Sequence, residues 1–514
     1  MRPICSVEVV RRAEAGAGVP EPMLMQRASK ALAGVCLDLL RGGGSGVRGA
    51  HVVALVGSGN NGGDALWALA HLARRGIATA ALGDPGRMHA AGAEAARAVG
   101  ARVIGWDDPA VGALIDSADL VLDGILGIGG AGAIREPAAG VVRVVRASGA
   151  PVVAVDVPSG VDTDTGHVAG LAVQADVTVC FGVLKPALVV SPARSLAGSV
   201  TVVDIGLQAR DLEPTAWALS LADLVVPGPA PDAHKYSRGV VGVTAGSLPY
   251  PGAALLAVGG ARMSGVGMVA LSPGAPAADP DTAPGPHLAA PNHAGDLDPV
   301  AALVVAAYPD VVLAPGRAVD ARCIGPGLGT GRDAMDAALR AMAHPAPLVI
   351  DASALAVLAR QDGRAALAER STAGWVTLLT PHAGEFARIG FDPSDGPLVA
   401  ARHAAQQSGA VIVLKGPGTV VAAPGATYVD TIGDASLATA GSGDVLAGLI
   451  AGMLAGAVRS GEVDPATAAL VAARAVGLHG LAGRLAASDG GPVTSVEVLT
   501  AVRAAHAVAA SAST

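Results

Sequence analysis

From residue 50 onward, short β-branched runs alternate with Ala- and Leu-rich stretches of helical length, which limits the chain to parallel sheets layered with helices. In the first half the runs fall at residues 51–56, 77–82, 120–122, 152–155, 177–181 and 200–204. The alternation pauses after Asp204, Ile205 and Gly206, where residues 208–233 hold Pro214, Pro227, Pro229 and Pro231. It restarts at 240–244 and continues at 311–313, 348–350, 377–379, 411–414 and 419–422. The Pro-, Ala- and Asp-dense stretch 272–299 reads as an exposed excursion. Each half opens with strand, glycine-rich loop and helix. The expectation is therefore an α/β protein with a first domain over residues 1–212, a linker over 213–232 and a second domain over 233–514.

Composition removes several function classes. The 70 Gly and 35 Pro stay below the share typical of low-complexity chains, so both halves are expected to fold. A net charge of −8, with four Trp, four Tyr and three Phe, leaves neither a basic groove nor a stacking platform, and no nucleic-acid partner is expected. Mean hydropathy is +0.50. The longest uncharged run, 239–261, contains Thr244, Ser247, Pro249 and Pro251, so it reads as strand, loop and helix start, and no membrane partner is expected. Residues 1–15 carry Arg2, Glu8, Arg11, Arg12 and Glu14 without an apolar stretch, which gives no secretory signal. Cys5, Cys36, Cys180 and Cys323 have no CxxC spacing. Cytoplasmic residence is the expectation.

The strongest chemical signal is LATAGSGDVLAGLIAGMLAG, residues 437–456. Gly441 and Gly443 bracket a serine, and Asp444 follows where an apolar helix begins. Free N–H groups and the positive end of the helix dipole hold an anion there, while a carboxylate beside them can take a proton from a substrate hydroxyl. A tight turn with an Asp cap is the plainer reading of the same residues. In the first half, Gly57, Gly59 and Gly62 fall in GxGxxG register between strand and helix, with Asp84 after the next strand. The core Asn60, Asn61, Gly62, Gly63 and Asp64 adds side-chain oxygens that a plain turn over pyrophosphate does not need and that hard cations favour. Asp123 opens a second loop, DGILGIGGAGAIREP, and VDVPSG places Asp156 and Ser159 after another strand. Strand C-termini of an open parallel sheet face the ligand crevice, so Asn61, Asp123, Asp156 and Ser159 are expected to converge. In the second half HKYSRG, GPGLG, DASAL with Asp351 at a strand end, TPHAGEF with His382 and Glu385, and the donor-rich turn at Lys415 follow expected strands in order.

GNNGGDA, the DGILGIGG loop and VDVPSG, together with MLMQRASKAL and ADVTVCFGVLKPAL, closely resemble the N-terminal domain of the NAD(P)H-hydrate epimerases over roughly residues 5–210. The set HK…G, AGSLPYPGAA, GPGLG, TPHAGE, KGPGT and ATAGSGD is similar to the nucleotide-dependent NAD(P)H-hydrate dehydratases of the ribokinase-like superfamily, over about residues 225–505. The resemblance implies a Rossmann-like αβα domain followed by a ribokinase-like αβα domain. For the first domain it implies that Asn60, Asn61, Gly62, Gly63, Asp64, Gly127, Ile128, Gly129, Gly130, Ala131, Gly132 and Ala133 bind the hydrated dinucleotide. Asn61, Asp123 and Ser159 would ligate K+, and Asp156 would contact substrate and serve as the candidate for proton transfer. For the second it implies that Ala253, Gly327, His382 and Asp444 contact the hydrated coenzyme. Lys415, Gly416, Pro417, Gly418, Thr419 and Gly443 would bind the adenine nucleotide, ADP with Mg2+. Three departures stand out: Ile128 in place of a usual threonine, Ala65 in place of glycine, and Asp434, Ala435 and Ser436 where Asn, Pro and Gly are common.

The activity implied is repair of hydrated NADH and NADPH, that is NADHX and NADPHX. The first domain would exchange the R and S hydrates, and the second would dehydrate the S hydrate with ADP, giving AMP and phosphate, in a homo-oligomeric enzyme. The alternatives are a ribokinase-type kinase for a vitamin-precursor alcohol and a non-enzymatic binding module in the first half. A dehydrogenase lacks a His/Arg or Tyr/Lys constellation beside the GxGxxG.

Overall fold

A computed structural model describes residues 1–42, 46–130, 132–207, 212–273, 298–313 and 317–512. Most of the expected excursion at 272–299, and the candidate ligand residue Ala131, lie outside the described residues. The chain divides into two compact units, Arg2–Ala216 and Trp217–Thr514, with Met1 grouped with the second.

The first unit begins with β1 (Arg2–Ile4), α1 (Val7–Gly16) and α2 (Glu21–Gly42). Its sheet contains seven parallel strands: β2 (His51–Val56), β3 (Ala78–Gly83), β4 (Arg102–Ile104), β5 (Leu120–Gly124), β6 (Val152–Val155), β7 (Val177–Phe181) and β8 (Ser199–Val203). Their spatial order is 4-3-2-5-6-7-8. Chain direction across the sheet therefore reverses between β2 and β5, the switch point where ligands sit in such sheets. Alternation along the strands fills two layers. Val52, Ala54 and Val56 pack with α2, α3 (Asn60–Ala73) and α4 (Ala90–Ala98). Val53, Leu55 and Val121 face the other way, onto α5 (Val111–Asp116) and α6 (Ala138–Ser148). Leu66, Leu69 and Leu72 of α3 are fully buried, each contributing about 1.5–3 kcal/mol of burial.

The second unit carries β9 (Ala216–Ala218), β10 (Val240–Ala245), β11 (Met268–Pro273), β12 (Val312–Leu313), β13 (Ala321–Ile324), β14 (Leu348–Ile350), β15 (Thr377–Leu379), β16 (Val411–Leu414), β17 (Val420–Ala423) and β18 (Ala426–Val429). They pair in the order 9-18-17-16-15-14-13-10-11-12, antiparallel only where β17 meets β16 and β18. One layer is formed by α7 (Pro251–Met263), α8 (Pro299–Ala307), α13 (Ser442–Ser460), α14 (Pro465–Ala486) and α15 (Ser495–Ser511). The opposite layer holds α9 (Arg332–Met342), α10 (Gln361–Thr372), α11 (Ala383–Arg388) and α12 (Pro397–Ser408). Val349 and Leu378 enter the first layer, and Leu348, Ile350 and Leu379 are buried on the other face. α13 and α14 are long and apolar enough to cross a membrane, yet most of each apolar window is buried in this unit. α7 and α13 touch backbone to backbone: a Cβ at Gly448 would lie 1.9 Å from the Ala257 carbonyl oxygen, and one at Gly260 would lie 2.1 Å from that of Val445.

The expected linker 213–232 is in part ordered core. Within it β9 pairs in parallel with β18, and Leu219 and Leu224 are buried in the second unit's main apolar cluster. β4 and β13 escape the sequence pattern because Arg102 and Arg322 interrupt their apolar runs.

Candidate active sites

In the first unit the loops after β2 and β5 meet at the switch point. They touch closely enough that a Cβ at Gly57 would stand 1.9 Å from the Ile125 carbonyl oxygen. Only glycine tolerates that approach. A cleft of about 750 Å³ opens beside them, within the range of small-molecule sites. Asn60, Asn61, Asp64, Gly127, Ile128, Gly129, Gly130 and Asp156 line it. Gly62 and Gly63 are buried within α3 and pack instead, Gly63 against Met25 and His89. Gly132 and Ala133 are not among the lining residues, and Ala133 lies against Gly170. Asp84 is exposed and caps its own turn through a bond from the Gly86 N–H.

Asp156 has a left-handed backbone, φ 66°, a strained setting for a non-glycine residue. Its Oδ1 accepts from the Phe181 N–H at 2.9 Å and from Lys185 Nζ at 2.5 Å. Lys185 is buried and also donates to the Phe181 carbonyl. Burial pulls its ammonium down, but Asp156 and then Cys180 more than offset this and hold it above its ordinary value. Asp64 is 8% exposed, and its Oδ1 has no hydrogen-bond partner among the described residues. Burial, followed by the charges of Asp156 and Glu14, pushes its carboxyl well above the usual range.

Under the cleft floor Asp123 and Ser159 are fully buried. Asp123 accepts from Ser159 N–H at 2.7 Å and Ser159 Oγ at 2.6 Å. Ser159 Oγ in turn accepts from the Leu126 N–H, and Asn61 Nδ2 donates to the Leu126 carbonyl at 3.0 Å. The three expected cation ligands thus gather around Leu126. Burial raises the Asp123 carboxyl to about 6, against the hydrogen bonds from Ser159.

In the second unit the motif loops leave the C-terminal ends of β10, β13, β14, β15 and β16, five adjacent strands of the sheet. Ala253 and Gly327 are neighbours: a Cβ on Gly327 would lie 2.6 Å from that of Ala253. Lys415 Nζ bonds Asp351 Oδ1 at 2.8 Å, and Thr380 Oγ1 donates to the same oxygen at 2.5 Å. The ammonium also reaches Gly443, where a Cβ would stand 3.4 Å from it. Burial lowers Lys415, yet Asp351, Glu385 and Asp444 hold it above its ordinary value. Asp444 sits in the first turn of α13 behind the left-handed Gly441. Burial and then Asp351 raise its carboxyl to about 7, with Lys415 acting the other way. A base poised near neutrality suits proton abstraction from a hydroxyl.

His382 is the N-cap of α11, its Nδ1 accepting from Gly384 and Glu385 N–H groups. It bridges Lys415 in parallel, which brings it to the same strand end. Gly416 and Thr419 close the turn on themselves, with Thr419 Oγ1 donating to the Gly416 carbonyl and Gly418 left-handed. Asp434 caps the turn Ala435–Leu437, and Ser442 Oγ donates to the Leu437 carbonyl, tying this turn to α13. Ile128 packs against the α1 cluster of Cys5, Val9 and Val10.

Four contributors escaped the sequence reading of the sites: Arg11 and Glu14 of α1, which line the cleft, Lys185, and Asp351 as the partner of Lys415. Lys185 carries a sequence signal, a lone lysine amid apolar residues just after a strand.

The family model of NAD(P)H-hydrate dehydratase matches residues 241–503, and that of the YjeF-related protein N-terminus matches residues 21–187. The bifunctional NAD(P)H-hydrate repair enzyme Nnr of Mycobacterium leprae (strain TN) is 40% identical, with 96% of each chain covered. The bifunctional NAD(P)H-hydrate repair enzyme of Leishmania major is 31% identical over 95% of this chain and 90% of its own. Among solved structures, the ADP/ATP-dependent NAD(P)H-hydrate dehydratase of Bacillus subtilis co-crystallized with ATP/Mg2+ is 26% identical. It covers 56% of this chain and 97% of its own, at a TM-score of 0.43.

Proposed function

Because this chain belongs to the family of bifunctional NAD(P)H-hydrate repair enzymes, we propose that its first unit exchanges the R and S epimers of NADHX and NADPHX and its second dehydrates the S hydrate with ADP. In the second unit Asp444 takes the proton of the substrate hydroxyl, whose oxygen attacks the β-phosphorus of ADP and displaces AMP. The hydroxyl has become a phosphate ester, a far better leaving group. Phosphate then departs with its C–O electron pair, the neighbouring carbon gives up a proton, and the ring double bond returns. Amides of residues 441–443 at the start of α13 face the transferred phosphoryl group, with the Lys415 ammonium beside them. Ala253, Gly327 and His382 contact the coenzyme, and Lys415, Gly416, Pro417, Gly418, Thr419 and Gly443 hold ADP, whose negative charge Mg2+ would help to neutralise.

In the first unit Asn60, Asn61 and Asp64 with the loop 127–130 bind the dinucleotide, and Asp156 faces the reacting ring. Asn61, Asp123 and Ser159 fit K+: all offer oxygen, Asp123 is buried, and no described cationic side chain pairs with it. When bound, K+ supplies a fixed positive charge beneath the loop. The net charge of −8 and the burial of most of α13 and α14 favour an enzyme without nucleic-acid or membrane partners.

One observation carries the reading: Asp444, near neutrality, stands with Lys415 at the start of α13 where five strand-end loops converge. The test is Asp444→Asn, followed by reduced-nicotinamide absorbance and inorganic phosphate. ADP-dependent recovery should fall by about 10²–10⁴-fold while epimer exchange persists. Normal recovery refutes the assignment, and a stable phosphorylated product without phosphate release would indicate the kinase instead.

A further inference from the structure

Asp156 and Asp64 line one cleft but live in opposite settings. Asp156 is locked in an ion pair with Lys185 and capped by the Phe181 N–H. Asp64, more than nine-tenths buried, lines the cleft, and its buried Oδ1 has no partner among the described residues. A carboxylate held by a buried cation beside a second carboxyl that burial raises suits a division between a fixed anion and an acid.

The substrate's chemistry needs that division. An enamine adds water with the proton on the carbon β to nitrogen and the hydroxyl on the carbon α to it, so the hydrated ring carbon bears both OH and ring nitrogen. One balanced route to inversion at that carbon breaks its C–O bond. The nitrogen lone pair forms C=N⁺ while the hydroxyl, taking a proton, leaves as water. Water then adds to the opposite face and returns one proton, so the cycle consumes nothing.

We propose that Asp64 is the catalytic acid of this exchange, protonating the departing hydroxyl, while the Asp156 carboxylate stabilises the iminium cation; the water arriving on the opposite face gives its proton to solvent, from which Asp64 is reprotonated. The inference rests on the epimerase reading of the first unit. Its support is Asp64's place in the cleft wall with a buried, unpartnered Oδ1, together with burial and the charges of Asp156 and Glu14, which raise its carboxyl. Arg11 and Glu14 on α1, Glu21 on α2, and Asp156 after β6 line the same cleft, and Lys185 lies behind Asp156.

The experiment uses the full chain with purified R hydrate, epimer exchange being followed by chromatography over the spontaneous rate. Asp64→Asn should slow exchange about 100-fold or more with little change in KM, and Asp64→Glu should restore part of it. The wild-type rate should fall at high pH along a limb that the Asn variant lacks. Unaltered ADP-dependent dehydration of the S hydrate in the same variant shows that the second unit is folded, and exchange restored in part by Asp64→Glu shows that the first unit folds without the native side chain. Exchange at the wild-type rate in Asp64→Asn, or a rise in KM alone, overturns the proposal. A wild-type chain that does not accelerate exchange overturns the epimerase reading itself, a separate result.

Discussion

The two sites share an electrostatic pattern and use it differently. Each sets a buried Asp–Lys ion pair beside a carboxyl raised above its ordinary value: Asp156–Lys185 beside Asp64, and Asp351–Lys415 beside Asp444. In the first unit the lysine side chain is 1% exposed and the carboxylate meets the cleft. In the second the aspartate is 1% exposed and the lysine, at 20%, reaches the α13 amides. The same pair thus presents an anion in one place and a cation in the other, according to which partner is shielded. A fixed anion suits a ring that becomes cationic, and a fixed cation suits a phosphoryl group.

The largest test of this contrast is Lys185→Met. Leaving Asp156 buried without its partner should cost about 3–5 kcal/mol of stability and abolish epimer exchange, read by thermal unfolding and by the exchange assay. Lys415→Met should act mainly on function. The ammonium lost there is 20% exposed rather than 1%, so water can take its place beside Asp351, which also keeps its bond from Thr380; the unfolding midpoint should move less than in Lys185→Met, whereas the KM for ADP should rise by roughly 10- to 100-fold from the lost charged contact. Equal loss of stability in both variants would break the comparison. The pH profile sharpens it further. The proposed mechanism needs ionised Asp444, so kcat/KM should climb with pH and level off above about 7. Because Lys415 lowers that carboxyl, its removal should displace the inflection upward. Ile128→Thr should matter least: it trims packing on α1 by about 1 kcal/mol and should alter exchange less than about threefold.

Much of this was legible in the sequence, for a physical reason. Glycine at positions 57 and 441, and acids at 123, 156 and 444, mark strand ends and helix starts, and parallel sheets collect those ends on one edge. The partners were not legible. Lys185 lies 29 residues from Asp156, and Lys415 lies 64 from Asp351. Neither spacing has a local period, and only the strand order brings them together. The N-terminal helix that supplies Arg11 and Glu14 was equally hidden, because nothing local says which end of the sheet it covers.

Where α7 and α13 cross, hydrogen atoms at Gly448 and Gly260 act as the thinnest possible spacer between two rods. Ala253 rides near the front end of one rod and Asp444 near the front end of the other. A single methyl inserted at residue 448 would pry those ends apart, and the gap between the proposed coenzyme contact and the proposed base would widen without any residue of the site having changed.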